Sequence, residues 1–122
     1  MGRRTRPHGA GRIRVGEGCM KVIWQTKAKE GRSQVAAYIR RQFGVNRVKV
    51  FRQKVDQVVR MLMQSPNMGS IDPLYSDRPF AYRSVIINGL SKMVYRIEDE
   101  TIHIVGFWDC RQEPQSQAAQ TE

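Results

Sequence analysis

The chain has 122 residues, a length that favours one domain built around a single hydrophobic core. Its 21 Lys and Arg against 11 Asp and Glu give a net charge of +10 and a pI near 10.3, which favour a polyanionic partner, either nucleic acid or an acidic protein segment. The chain has only two cysteines and two distant histidines, which exclude a disulfide framework and a Cys/His metal cluster. Its apolar runs are far shorter than the ~20 residues of a membrane span, which excludes a transmembrane helix. We therefore expect a reduced, cytoplasmic protein without metal or cofactor.

The first 19 residues, "MGRRTRPHGAGRIRVGEGC", lack the apolar stretch of an export signal and consist largely of Gly and Arg. We expect either a disordered basic arm or a start codon assigned too early, with Met20 as the true first residue. The polar tail, residues 115–122, is also expected to be disordered. The predicted folded domain is therefore residues 20–114.

Residues 20–25, "MKVIWQ", are apolar and β-branched and predict a strand, followed by Thr26 as a possible N-cap. Apolar residues at helical spacing then predict a helix from Lys27 to about Gln42, with Gly44 as its C-terminal glycine. A second helix follows at once, with Asn46 as a possible N-cap. Its apolar stripe, spaced by three and four residues, is Val48, Phe51, Val55, Val58 and Leu62.

Pro66 ends the second helix and begins an irregular loop rich in Pro and Gly. Turn signals at Asn88-Gly89 and at residues 98–100 then divide residues 82–108 into three antiparallel strands. The predicted fold class is α+β, with the order β-α-α-β-β-β and an α-helical hairpin packed on one face of a small, mainly antiparallel sheet.

Strand alternation predicts one apolar face and one mixed face for the last two strands. A two-residue turn at Asp99-Glu100 places Arg96 opposite His103 and Lys92 opposite Phe107. The face expected to pack on the helices is Met93, Tyr95, Ile97, Ile102, Ile104, Gly106 and Trp108. The face expected to remain open is Lys92, Val94, Arg96, His103, Val105 and Phe107, joined by Arg83 if Asn88-Gly89 is also a two-residue turn.

The cations of the expected open face, together with Arg111 beyond the last strand, form a set of donors suited to phosphate. Cations on a preformed sheet can also stabilise charge that develops in a transition state. His103 is a candidate proton shuttle. The alternative is that all of these are ordinary solvated strand residues of a basic protein.

Three segments in this order, "MKVIWQTKAKEGRSQVAAYIRRQFG", "SPNMG" and "YRSVIINGLSKMVYRIEDETIHIVGFWDCRQ", closely resemble the RelE/ParE superfamily of bacterial toxins from type II toxin–antitoxin systems. The resemblance extends from Met20 to about Pro114. It implies a compact α+β toxin that a cognate antitoxin holds inactive by wrapping its C-terminal segment around the basic surface. RelE-like members cut mRNA in the ribosomal A site without a metal, whereas ParE-like members inhibit DNA gyrase.

The resemblance places Arg83 and Lys92 where RelE-type enzymes have catalytic basic residues, and Arg111 approximates a further C-terminal arginine. Arg96 and His103, on the same predicted open face, are candidates for binding phosphate. The chain departs from that pattern, since Val85 stands where a second lysine is expected, Lys92 replaces an arginine, and no tyrosine follows Tyr95. Lysine cannot copy the bidentate guanidinium fork. Three interpretations therefore stand: a ribosome-dependent mRNA endonuclease, a gyrase inhibitor that binds through the second helix and C-terminal end, and an inert antitoxin-binding module.

Overall fold

The computed structural model of the chain describes residues 13–15, 18–89 and 91–110. Two long helices are followed by a meander of three strands, and short strands lie before and after the helices. In chain order the elements are β1 (Ile13–Val15), β2 (Gly18–Trp24), α1 (Thr26–Phe43), α2 (Val45–Gln64), β3 (Ser70–Ile71), a 3-10 turn (Pro73–Tyr75), β4 (Tyr82–Ile87), β5 (Ser91–Glu98) and β6 (Thr101–Asp109). The predicted α+β fold is confirmed.

The strands form one mixed sheet in the order β1-β2-β6-β5-β4-β3. The last strand, β6, is central: it pairs in parallel with β2 and antiparallel with β5. A parallel neighbour requires a long crossover, and the helical hairpin supplies it between β2 and the meander. The hairpin therefore crosses one face of the sheet.

The two helices are joined by a single residue, Gly44. Its φ of +94° lies in the region that favours glycine, so it ends α1 and turns the chain directly into α2. The helices begin slightly earlier than the cap signals suggest, because Gln25 and Gly44, and not Thr26 and Asn46, are the N-cap residues. Among the described residues, neither helix has the length and apolar character needed to cross a bilayer.

The main core lies between the helical hairpin and one face of the sheet. Phe51 of α2 meets Phe107 of β6 edge to face, with ring centroids 5.8 Å apart. Burying aromatic and aliphatic side chains of this size contributes roughly 1.5 to 3 kcal/mol each. The predicted stripe of α2 faces this core: Val48, Phe51, Val55, Val58 and Leu62 are all buried.

The N-terminal segment differs from the expectation of a disordered arm up to residue 19. Residues 13–15 form β1, which pairs antiparallel with the start of β2, and β2 itself begins at Gly18. Strand structure therefore includes residues that precede Met20. Residues 1–12, 16 and 17 of the predicted arm and residues 115–122, the predicted tail, lie outside the described residues.

Candidate functional site

The hairpin between β5 and β6 brings part of the predicted cation set together. Glu98 pairs with Thr101 across the Asp99-Glu100 turn, so the predicted two-residue turn is confirmed. From that turn the register runs as predicted to the pair of Tyr95 with Ile104, with Arg96 opposite His103. We call the face of β5 and β6 that points away from the helices the outer sheet face; Lys92, Val94, Arg96 and His103 lie on it.

A β-bulge at Val105 changes the register beyond this point. Val94 pairs with Gly106, so Val105 is an extra residue in β6 and every later side chain of that strand changes face. Phe107 therefore joins the main core, and Trp108 lies opposite Lys92 on the outer sheet face. The predicted pairing of Lys92 with Phe107 and the predicted faces of Phe107, Gly106 and Trp108 are wrong for this reason.

Arg83 lies on the opposite face from Lys92. Ile87 pairs with Ser91, which leaves three residues between them instead of the two-residue turn at Asn88-Gly89, and the resulting shift pairs Arg83 with Tyr95. The expected convergence of Arg83 with the outer cations is therefore wrong. Its guanidinium instead donates hydrogen bonds to the carbonyl oxygens of Asn67 at 3.2 Å and Gly69 at 2.7 Å.

Tyr95 anchors the same loop from the sheet. Its hydroxyl donates to the carbonyl oxygen of Pro66 at 2.7 Å and accepts from the Gly69 N–H at 3.0 Å. Burial raises the pKa of Tyr95, while the Gly69 hydrogen bond and the charge of Arg83 act in the opposite direction. Arg83 and Tyr95 thus hold the chain as it leaves α2.

The outer sheet face is covered, contrary to the expectation that it is open. The segment of residues 72–81, which we call the covering segment, folds across it and builds a second apolar cluster. Tyr75 stacks on Tyr82 with ring centroids 5.1 Å apart. The buried members of this cluster are Tyr75, Tyr82, Val94, Val105 and Trp108.

Lys92 is paired under the covering segment. Its ammonium lies 2.9 Å from Oδ2 of Asp72, and the two side chains are only 15% and 5% exposed. The other carboxylate oxygen, Oδ1, accepts the N–H of Leu74 at 3.0 Å and so begins the 3-10 turn. An anion that used Lys92 would have to compete with this buried carboxylate.

Arg96 is held in a similar way. Its guanidinium donates to Oε1 of Glu98 at 2.6 Å and lies 4.6 Å from the ring centre of Phe80, so it has both an anionic and an aromatic partner. His103 places Nε2 4.0 Å from the same Glu98 oxygen. Its Nδ1 is buried and has no hydrogen-bond partner among the described residues.

Arg111, the remaining predicted catalytic residue, lies outside the described residues. Within the described part of the chain, His, Cys, Asp and Glu side chains form no group of three that could hold a metal ion. The outer sheet face therefore combines three cationic or titratable groups, Lys92, Arg96 and His103, with carboxylates that already face them.

A second basic region lies on the helices, outside the set of site residues that the sequence motifs predict. The solvent side of α1 and α2 carries long cationic side chains on both helices, all of them exposed. A charge count by segment would have found it, because residues 26–64 hold ten Lys and Arg but only two Asp and Glu. This helical surface is Lys27, Lys29, Arg40, Arg41, Arg47, Lys49, Arg52, Lys54 and Arg60.

Comparisons with known proteins give a likeness of fold. No family model matches the chain and no curated protein matches it. A solved structure described as the chromosomal ParDE TA (toxin–antitoxin) system from P. aeruginosa contains a chain that superposes with a TM-score of 0.60 at 20% identity. The match covers 74% of this chain and 95% of that one. The strand, helical hairpin and mixed sheet described above are thus the fold of a chain in that structure.

Proposed function

We propose that this chain is the toxin of a bacterial type II toxin–antitoxin system, that it acts in the cytoplasm on DNA gyrase, and that a cognate antitoxin holds it inactive. The fold that it shares with a chain of the ParDE structure supports this proposal. So does the series of segments from Met20 to about Pro114 that resembles the RelE/ParE superfamily. The choice of gyrase over RNA depends on how the cations are distributed.

The observation that carries this choice is the pairing of the cations on the outer sheet face. Lys92 has Asp72 as a buried partner, and Arg96 has Glu98. Arg83, the third expected member, is on the other side of the sheet and holds carbonyl oxygens. Phosphoryl transfer requires cations that converge on one developing charge, and this arrangement favours a toxin that acts by binding.

The helix α2 offers a surface for binding a protein. Val50 and Met61 are apolar residues that remain 51% and 46% exposed, and their spacing places them on one side of α2 together with Lys54. Exposed apolar side chains beside cations are typical of protein interfaces, where a few such residues carry most of the binding energy. We assign the contact with gyrase to this side of α2.

Inducing the chain alone in a bacterial host tests the proposal. We expect growth to stop and plasmid DNA to lose negative supercoils, with DNA damage and without new mRNA ends inside codons. In vitro, the purified chain should inhibit supercoiling by gyrase. New mRNA ends within codons, with supercoiling intact, would overturn the choice of target.

A pair of double variants tests the assigned surface. Val50→Glu with Met61→Glu should weaken gyrase inhibition by at least about tenfold, the scale expected for central interface residues. The matched control is Ile71→Glu with Ile86→Glu, which changes two apolar residues of 55% and 53% exposure on the sheet and alters the net charge equally. Equal loss of inhibition in both variants would remove α2 as the contact surface.

A second candidate is a ribosome-dependent mRNA endonuclease that needs no metal. Lys92, Arg96 and His103 do share one face, and this is the observation that favours the second candidate. In this function the covering segment has to release Lys92 from Asp72, and the resemblance adds Arg111 as a catalytic group, whereas Arg83 holds the loop after α2 from the other face of the sheet. Removing Lys92 should then lower cleavage by about 10²-fold. Absence of any growth defect would favour the third interpretation, an inert antitoxin-binding module.

A further inference from the structure

The net charge of the chain is concentrated in the helical hairpin. Residues 26–64 carry ten Lys and Arg against two Asp and Glu, a net charge of +8 out of the total of +10. Residues 1–19 contribute +4, with five Arg and one Glu, so the sheet and loops that make up the remainder have a net charge of −2. The positive field of the molecule therefore comes from α1 and α2 among the described elements.

A groove between the two helices gathers part of this charge. It has a volume of about 530 Å³, and its cationic walls are Arg40 and Arg41 from the last turn of α1 and Lys49 and Arg52 from α2. A second hollow of about 360 Å³ continues it, since both are lined by Ser33, Ala36 and Arg52. The second hollow is also lined by Arg32 and Asp56, so the groove is basic in its larger part and has one carboxylate in its extension.

The cations of this groove are not neutralised by the protein. Within the described part of the chain, Arg40, Arg41, Lys49 and Arg52 make no ion pair with a carboxylate, whereas Lys92 and Arg96 do. Bringing four like charges around one groove is unfavourable in the isolated protein. An anionic partner would remove that repulsion on binding.

We propose that this groove binds the phosphodiester backbone of a nucleic acid. Three of its four cations are arginines, whose planar fork binds phosphate oxygens bidentately. The rest of the lining is small or apolar, namely Ser33, Ala36, Ala37, Val45 and Val48. The preference for a nucleic acid over an acidic protein segment therefore depends on the four cations, and poly-glutamate serves below as the competing probe.

The length of α2 also fits a polyphosphate better than a single anion. Lys49 and Arg60 are 11 residues apart and lie on one side of α2, about 17 Å apart at 1.5 Å per residue, with Asp56 between them. One strand of DNA carries about five phosphates over that length. A linear array of cations on this scale can contact several consecutive phosphates without reading the bases.

This inference does not depend on the proposed toxin function. Lys49 and Arg52 lie in the groove, whereas Val50 and Met61 are on another side of α2, roughly 100° or more away at 100° per residue. A nucleic acid in the groove would leave the assigned gyrase contact open. Gyrase inhibition and nucleic-acid binding can therefore fail separately.

Fluorescence anisotropy on the full chain tests the proposal with two probes of unrelated sequence, a ~20-bp DNA duplex and a ~20-nt RNA strand, across about 50 to 200 mM salt. The test variant replaces Arg41, Lys49 and Arg52 with Gln. The matched control replaces Lys21, Lys27 and Lys29, three exposed lysines outside the groove, with Gln and so removes the same charge. Circular dichroism of both variants verifies that they fold.

We expect the groove variant to lose about 10²-fold in affinity near ~100 mM salt. The slope of log K against log salt should become shallower by about 2.7 for duplex DNA, because each of the three lost phosphate contacts contributes about 0.9. The control should lose less than about tenfold. Preference for one probe identifies the nucleic acid as DNA or RNA. Equal losses in the two variants, or equally tight binding of poly-glutamate, would overturn the proposal.

Discussion

The two basic regions of this molecule use their charge in opposite ways. On the outer sheet face, Lys92 and Arg96 each lie against a carboxylate, under a segment that buries aromatic rings beside them. On the outer side of the helical hairpin, a larger number of cations is exposed and, within the described residues, has no carboxylate partner. A basic residue on a strand is therefore a weak guide to an anion site when a loop can fold across that strand. The net charge of a whole element is a better one.

The strongest effect should come from breaking the buried pair on the outer sheet face. Asp72→Asn keeps an acceptor for the Leu74 N–H but leaves the ammonium of Lys92 without a counter-charge, which should cost about 3 kcal/mol of unfolding free energy. Adding Lys92→Met should restore most of that loss, because the unpaired charge is then gone. Urea denaturation of the two single variants and the double variant measures this coupling. Additive losses would mean that the pair is not formed.

Substitutions on the side of the hairpin that packs on the sheet should cost more stability than substitutions on its outer side. A Cβ at Gly31 of α1 would lie 2.0 Å from the backbone oxygen of Phe107, so Gly31→Ala has to push the helix away from β6 and should cost about 2 kcal/mol despite the better helix propensity of alanine. Ser33→Ala, on the exposed side of the same helix, should change stability by less than about 0.5 kcal/mol. Thermal unfolding of both variants compares the two sides of α1 directly.

The attachment of the loop after α2 should depend on the Tyr95 hydroxyl. Tyr95→Phe leaves the carbonyl oxygen of Pro66 and the N–H of Gly69 unpaired and should cost about 1 to 2 kcal/mol. The pKa of Tyr95 is raised above its ordinary value of 10.0, so the folded state keeps this proton when the unfolded state loses it. Stability should therefore fall as the pH rises above 10, and the variant should lack that part of the decline. An identical alkaline profile in the variant would contradict the assignment.

The smallest effect on stability is expected on the outer side of the hairpin. Replacing Arg41, Lys49 and Arg52 with Gln should leave the free energy of unfolding within about 0.5 kcal/mol or raise it, because these exposed charges repel one another. Added salt should stabilise the wild type more than the variant by screening that repulsion. Equilibrium unfolding in low and high salt measures both. A loss of 2 kcal/mol or more would mean that these cations have structural partners.

Local signals predicted the helices and one turn correctly. Apolar residues at a spacing of three and four identified both helices, and the acidic turn at Asp99-Glu100 set the register of β5 and β6 as far as Tyr95. The predicted faces of β6 are wrong beyond Val105, the point where the strand contains one extra residue. The bulge at Val105 lies in a run of apolar residues and glycine. Either set of alternate residues in this run would form a plausible apolar face, so the sequence does not show where the register shifts.

The candidate site was harder to predict than the fold, because it depends on contacts between segments that are distant in sequence. Asn88 and Gly89 both have positive φ, as the turn signal suggested, but the loop has one residue more than a two-residue turn and so places Arg83 on the other face. The Pro and Gly residues after α2 indicate only an irregular loop, whereas Asp72 and Tyr75 within it supply a counter-charge and an aromatic cover. No short-range pattern links Asp72 to Lys92, 20 residues later.

Chemical labelling of lysines tests the contrast between the two regions most directly. Acetylation of the native full chain, followed over time by mass spectrometry, reports how accessible and how free each ammonium is. Lys92 should react at least about tenfold more slowly than Lys49 and Lys54, and Asp72→Asn should bring its rate closer to theirs, since the pair and its cover open only through local unfolding. A Lys92 that is labelled in the wild type as fast as the hairpin lysines would contradict the account.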